Sequence, residues 1–145
     1  MKIEYNNLYT HFVFTTFQRL PMISMENRNR IEKYITGIVT HNSSKLYAIY
    51  ANPEHVHFLV SRSPSISEQD LATIIADSSE AFINQNKLSV GNFKWQQSAS
   101  AFSVSKSDIE RVYKYILNQP EHHKKVSFEE EYNEFIKFYQ NSLKK

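Results

Sequence analysis

The order of extended and helical stretches in this chain predicts an α+β fold: a split β-α-β antiparallel sheet with helices on one face, followed by further C-terminal helices. Three observations carry the prediction. β-branched and aromatic runs bounded by turn residues recur four times. Capped amphipathic stretches separate the first strand from the second, and the third from the fourth. One strand alternates so that its two histidines share a face.

The elements follow in order. "LYTHFVFTTF" (8–17) is a β-branched, aromatic strand. "SMENRNRIEKYITGIVTHN" (24–42) is a helix with Ser24 as N-cap and Ile31, Ile35, Ile38 and Val39 at helical spacing. "KLYAIYA" (45–51) and "EHVHFLVSR" (54–62) are strands joined by a turn at Asn52-Pro53. Ser67 opens a second helix, to about Asn84, with Leu71, Ile74, Ile75, Ser78 and Phe82 as its inward row. "SAFSVS" (100–105) is a short fourth strand. "SDIERVYKYILNQ" (107–119) is a third helix, capped by Ser107 with Glu110 in the capping-box position, and "SFEEEYNEFIKFYQ" (127–140) is a fourth, capped by Ser127. The order β-α-β-β-α-β, then helices, is the ferredoxin-like pattern, in which one sheet face is covered and the other is available for a site.

Composition narrows the function. The 145 residues, read as a single domain over 1–145, are 41% hydrophobic and 14% aromatic, a globular composition. There is no cysteine, which excludes disulfides, thiolate zinc sites and cysteine nucleophiles and suits a cytoplasmic protein. No apolar run reaches the length of a membrane span, and "MKIEYNNLYTHF" lacks the apolar block of a signal peptide. A net charge of +2 permits a nucleic-acid partner without requiring one.

Chemistry concentrates at two places. In the third strand His55 and His57 point one way and Val56, Phe58 and Val60 the other. Two imidazoles on one face chelate a metal or contact phosphate, or else each needs its own structural partner. In the third helix Ile109, Val112, Tyr113, Ile116 and Leu117 form the packing stripe. Tyr115 and Gln119 lie off that stripe, one turn apart on one flank. They are ordinary boundary residues, or a nucleophile and a metal ligand.

"PEHVHFLVS" resembles the histidine–hydrophobe–histidine motif of HUH nucleases. "FKWQQSASAFSVSKSDIERVYKYILNQPEHHKKVSFEEE" resembles the second half of single-tyrosine HUH transposases of the insertion sequence 200/605 type and their REP-associated relatives. The carriers are the tryptophan-glutamine pair, the "AFSVS" strand, and a helix with tyrosine-x-x-x-glutamine followed by a "HH" pair. The resemblance spans roughly residues 8–140. It implies that His55, His57 and Gln119 hold a divalent ion, Mg2+ or Mn2+, and that Tyr115 is the nucleophile. It further implies cleavage and strand transfer of single-stranded, hairpin-bearing DNA through a 5′-phosphotyrosine, by a homodimer with no nucleotide cofactor. A domesticated protein that binds or nicks hairpin DNA without mobile-element activity is the alternative.

Arg19, Lys94, Lys106, His122, His123 and Lys124 are candidate DNA contacts. Phe93, Trp95 and Phe102 are either base-stacking or core residues, and Glu54 either supports the histidines or is simply solvated. A sheet edge at "FVFTT" (12–16) would give the homodimer a pairing surface.

Overall fold

The computed structural model describes residues 1–122 and 127–143; His123 and Lys124 lie outside them. Four strands, β1 (Tyr9–Thr15), β2 (Lys45–Ala51), β3 (His55–Ser61) and β4 (Ser100–Val104), form one antiparallel sheet of order β2-β3-β1-β4. This is the split β-α-β arrangement that the element order predicts. "FVFTT" is therefore not an edge. β1 pairs with β3 on one side and β4 on the other, so the surface proposed for dimer pairing is internal.

Alternation along the strands divides the molecule into two layers. Phe12, Phe14, Val56, Phe58 and Val60 face α1 (Arg28–His41) and α2 (Glu68–Gln85). Their partners are Ile31, Ile35 and Val39 from α1 and Leu71, Ile75 and Ile83 from α2. Phe58 stacks on Phe12, with ring centroids 5.1 Å apart. The inward row of α2 is Leu71, Ile75, Ser79 and Ile83, which moves Ile74 and Ser78 to its flanks. Ser79 belongs there because its hydroxyl accepts from the buried Trp95 indole at 2.9 Å. Phe93 and Trp95 are core residues of this layer.

The capping predictions divide. Ser67 caps α2, accepting from the Asp70 N–H at 3.0 Å. Ser24 does not start α1: its hydroxyl accepts from the Asn27 N–H in a separate turn, which the Asn27 amide ties to the Leu88 carbonyl. The helix begins at Arg28. The helix expected over 107–119 is three pieces: a 3-10 turn at Lys106–Asp108, α3 (Ile109–Leu117) and the single turn α4 (Gln119–His122). The hydroxyl of Ser105 bonds both Ser107 and Asp108 at 3.0 Å, which spends the expected cap inside the turn. Pro120 has no N–H with which to continue α3, and it disfavours helical backbone before it. The last helix, α5 (Phe128–Leu143), starts with the Ser127 hydroxyl accepting from the Glu130 N–H.

The second face of the sheet is covered too. α3 lies across β2 and β3, burying Val112 and Ile116 against Ala48, Tyr50, Leu59 and Val104. The helix is turned from its expected setting. Tyr115 packs inward, whereas Tyr113 and Leu117 are 40% and 45% exposed. The reason is the neighbour: the side of α3 that meets β3 opposes His57, and Tyr115 fits against that ring. Among the described residues no helix is long and apolar enough to cross a membrane.

The corner after β1 is strained. Gln18 and Arg19 have φ of 55° and 56°, the left-handed region that costs a residue bearing a Cβ about 1–2 kcal/mol.

Candidate active site

Antiparallel register builds the site from the centre of the sheet. Thr15 opposes His55, and Val13 opposes His57. His11 is two residues along β1 on the same face. All three histidines are buried. The His55 and His57 rings lie 5.0 Å apart at 81°, and each is held through Nδ1. His57 Nδ1 lies 2.9 Å from His11 Nε2, and His55 Nδ1 lies 2.9 Å from Glu54 Oε1. With both Nδ1 atoms engaged, both Nε2 atoms turn toward one carboxylate. Glu131 Oε1, from α5, lies 2.8 Å from His57 Nε2 and 3.8 Å from His55 Nε2.

Glu131 is only 1% exposed. Burial raises its pKa, but the hydrogen bonds from His55 and His57 outweigh this and hold the carboxyl well below its ordinary range. Burial lowers the pKa of His55, yet the hydrogen bonds to Glu131 and Glu54 dominate and raise it. His11 is pushed well below the ordinary histidine range, first by burial and then by the charge on His57. It is therefore a neutral imidazole, able to donate or accept at Nε2.

Gln119 is buried beside the pair. The Asn52 amide Nδ2 lies 3.2 Å from both His55 Nε2 and Gln119 Oε1, while Gln119 Nε2 lies 3.5 Å from the Tyr115 carbonyl. The Tyr115 ring stands 5.7 Å from the His57 ring and 5.4 Å from the His122 ring. Its phenol pKa is raised, by burial first and then by the hydrogen bond to Glu131. Tyr115 also lines an open groove of about 470 Å³ with Arg111, Tyr113, Lys114, Leu117 and Asn118. Thus His55, His57, Gln119 and Tyr115 converge within one chain.

The donor set suits a divalent ion. One ligand atom each from His55, His57 and Glu131 lies within 4.8 Å of the others. Two imidazoles and a carboxylate, with the distal ring nitrogens anchored, are a metal-binding combination. Imidazole donors favour Mn2+ over Mg2+, which prefers oxygen.

Of the other candidates, Arg19, Lys94 and Lys106 are exposed. His122 instead turns into the site, with Nε2 3.3 Å from Glu131 Oε2. Phe102 packs near His11, with centroids 6.1 Å apart. Three participants were not anticipated. His11 carried a signal, a polar residue at an alternating position of an otherwise apolar strand. Asn52 read only as a turn residue. Glu131 sits among three consecutive acids, and nothing local separates it from its neighbours.

A ferredoxin-like sheet bearing a same-face histidine pair, with a tyrosine and a glutamine brought to it by the C-terminal helices, defines the class. Residues 4–119 match the family described as "Transposase IS200 like", and the chain belongs to that family. Two solved structures share the fold. A protein assigned as a transposase from Deinococcus radiodurans R1 is 22% identical, with a TM-score of 0.61, over 82% of this chain and 96% of that one. A REP-associated tyrosine transposase bound to a REP hairpin is 15% identical, with a TM-score of 0.62, over 87% of this chain and 74% of that one. A search of curated protein sequences gives no significant match.

Proposed function

We propose that this transposase cuts and rejoins single-stranded DNA with Tyr115 as nucleophile. The observation that carries the reading is the packing of the Tyr115 ring against His57, 5.7 Å between centroids, at the point where both histidine Nε2 atoms converge. Tyr115 Oη attacks the scissile phosphorus, the bond to the 3′-oxygen breaks, and a 5′-phosphotyrosine and a 3′-hydroxyl result. The phosphodiester energy is kept in the covalent link, so rejoining needs no nucleotide cofactor.

His55, His57, Gln119 and Glu131 are the residues that would hold the divalent ion, Mg2+ or Mn2+. When bound, that ion polarises the scissile phosphate and offsets its charge. His11 and Glu54 keep the two rings in the tautomer that turns Nε2 outward. Glu131, held ionised, orients the phenol of Tyr115, whose proton ends on the departing 3′-oxygen. Arg111 and Lys114, beside the groove that Tyr115 lines, meet the incoming backbone, as do Lys106, His123 and Lys124.

The hairpin bound by the REP-associated relative supports a partner DNA with hairpin elements. Action on DNA and the absence of cysteine support a cytoplasmic location. A two-fold homodimer completes the proposal, on the family resemblance; light scattering at micromolar concentration tests it.

The central test mixes the protein with labelled single-stranded DNA carrying a hairpin, in Mn2+. A denaturation-resistant protein–DNA adduct, lost in Tyr115→Phe and on chelation of the metal, is the expected result. An adduct that survives Tyr115→Phe refutes the assignment.

A further inference from the structure

The corner between β1 and α1 is more rigid and more apolar at its surface than a connection requires. Gln18 and Arg19 both hold left-handed backbone although neither is glycine. The surroundings pin them there. The Phe17 N–H donates to the Lys94 carbonyl at 2.9 Å, and the Gln18 N–H to Gln96 Oε1 at 3.1 Å. The Thr16 hydroxyl lies 2.6 Å from the Leu20 carbonyl and 3.1 Å from that of Glu54. Backbone held in this region persists only where the surroundings over-determine it, as these contacts do.

What the corner displays is also specific. Phe17 and Leu20 are 37% and 46% exposed. The Lys94 ammonium stands 5.1 Å from the centroid of the Phe17 ring, and Arg19 is exposed next to it. The corner adjoins the candidate active site. The Thr16 N–H donates to the Glu54 carbonyl at 2.9 Å, and the Glu54 carboxylate in turn holds His55 Nδ1.

We propose that this corner is a platform for single-stranded DNA, on which an unpaired base stacks against Phe17 while the flanking phosphates meet Arg19 and Lys94. The inference rests on the reading of the chain as a single-strand DNA transposase and adds where the strand lies as it approaches the histidines. An aromatic ring accepts any base face, and adjacent cations track the backbone, the combination that single-strand binding uses. A corner already fixed in shape loses little freedom when the strand lands.

The test is made in the Tyr115→Phe chain, which separates binding from cleavage. The probe is fluorescein-labelled oligo-dT of about 16 nucleotides, the upper end of a single-strand site, read by anisotropy over a salt series. Phe17→Leu, which keeps apolar bulk but loses the ring, weakens binding roughly tenfold, and Phe17→Trp restores it. Arg19→Gln combined with Lys94→Gln flattens the slope of log affinity against log salt by about 0.7 for each phosphate that is no longer neutralised. Phe17→Leu binding as tightly as the parent overturns the stacking, and an unchanged salt slope overturns the pairing of Arg19 and Lys94 with phosphates. The adduct assay on the chain with Tyr115 intact keeps the two readings apart. An adduct with no Phe17 effect fells the platform alone, and no adduct fells the cleavage reading.

Discussion

His11 Nε2 lies 2.9 Å from His57 Nδ1, in the middle of the sheet and away from water. A ring nitrogen that binds a metal must present its lone pair, so the proton of a neutral His57 has to sit on Nδ1 and donate to His11. His11, held neutral, is an acceptor suited to that position. His11→Phe should therefore lower Mn2+ affinity by roughly 10- to 100-fold, the usual cost of losing such a supporting group. His11→Gln, which retains an acceptor, should lose less. Titration calorimetry on folded protein measures both. Equal losses in the two variants would assign His11 to packing instead.

Tyr115 and Tyr113 should separate cleanly. Tyr115→Phe removes only a hydroxyl and is expected to abolish adduct formation with the fold retained, read by gel and by circular dichroism. Tyr113 is 40% exposed. Tyr113→Ala should change stability by only about 0.5 kcal/mol, the range of ordinary surface substitutions, and should leave the Tyr115 adduct in place. Denaturant melts test this.

Mn2+ should raise the melting temperature, because an ion that binds only the folded chain stabilises it. At a hundredfold excess over the dissociation constant the gain is about 2.7 kcal/mol. His57→Ala and Glu131→Gln should both reduce the shift. If Glu131→Gln shifts as the parent does, Glu131 is no ligand.

The candidate residues His55, His57, Tyr115 and Gln119 meet within one chain, with Tyr115 packed on that chain's own His57. Mixing a His57→Ala chain with a Tyr115→Phe chain should therefore give no adduct. Restored cleavage would mean that the tyrosine acts on a partner's histidines.

Glu32 offers a pH test away from the site. Its carboxylate accepts from the Ala51 N–H at 2.9 Å and pairs with Arg28 at 2.8 Å. Burial nevertheless raises its pKa above 4.5, against those two bonds. The folded chain thus holds this proton more tightly than the unfolded one. Its contribution favours folding below about pH 4.5 and is lost as pH climbs through the raised value. Glu32→Gln, compared with the parent in thermal melts across that window, should remove this fall in stability with rising pH.

The layered fold was legible because its signals are local. Strand alternation put Val56, Phe58 and Val60 on one side and the histidines on the other, and Ser67 and Ser127 cap as their spacing says. What was not legible depends on long-range choices. α3 has apolar residues over a wide arc, and only contact with His57 decides that Tyr115 rather than Tyr113 turns inward. β1 lies in the centre of the sheet because β4 pairs with it, which its own residues do not state. Glu131 gains its role only when α5 returns to the histidines, about seventy positions from them in the chain, beyond the reach of helix or strand periodicity.

The spread of the site along the chain also bears on when it can act. β1 brings His11 early in synthesis and β3 brings the histidine pair, but the tyrosine arrives with α3 and the carboxylate only with α5. A chain built only as far as the sheet carries the three histidines but neither Tyr115 nor Glu131, so the candidate groups come together only once α3 and α5 have closed over β3.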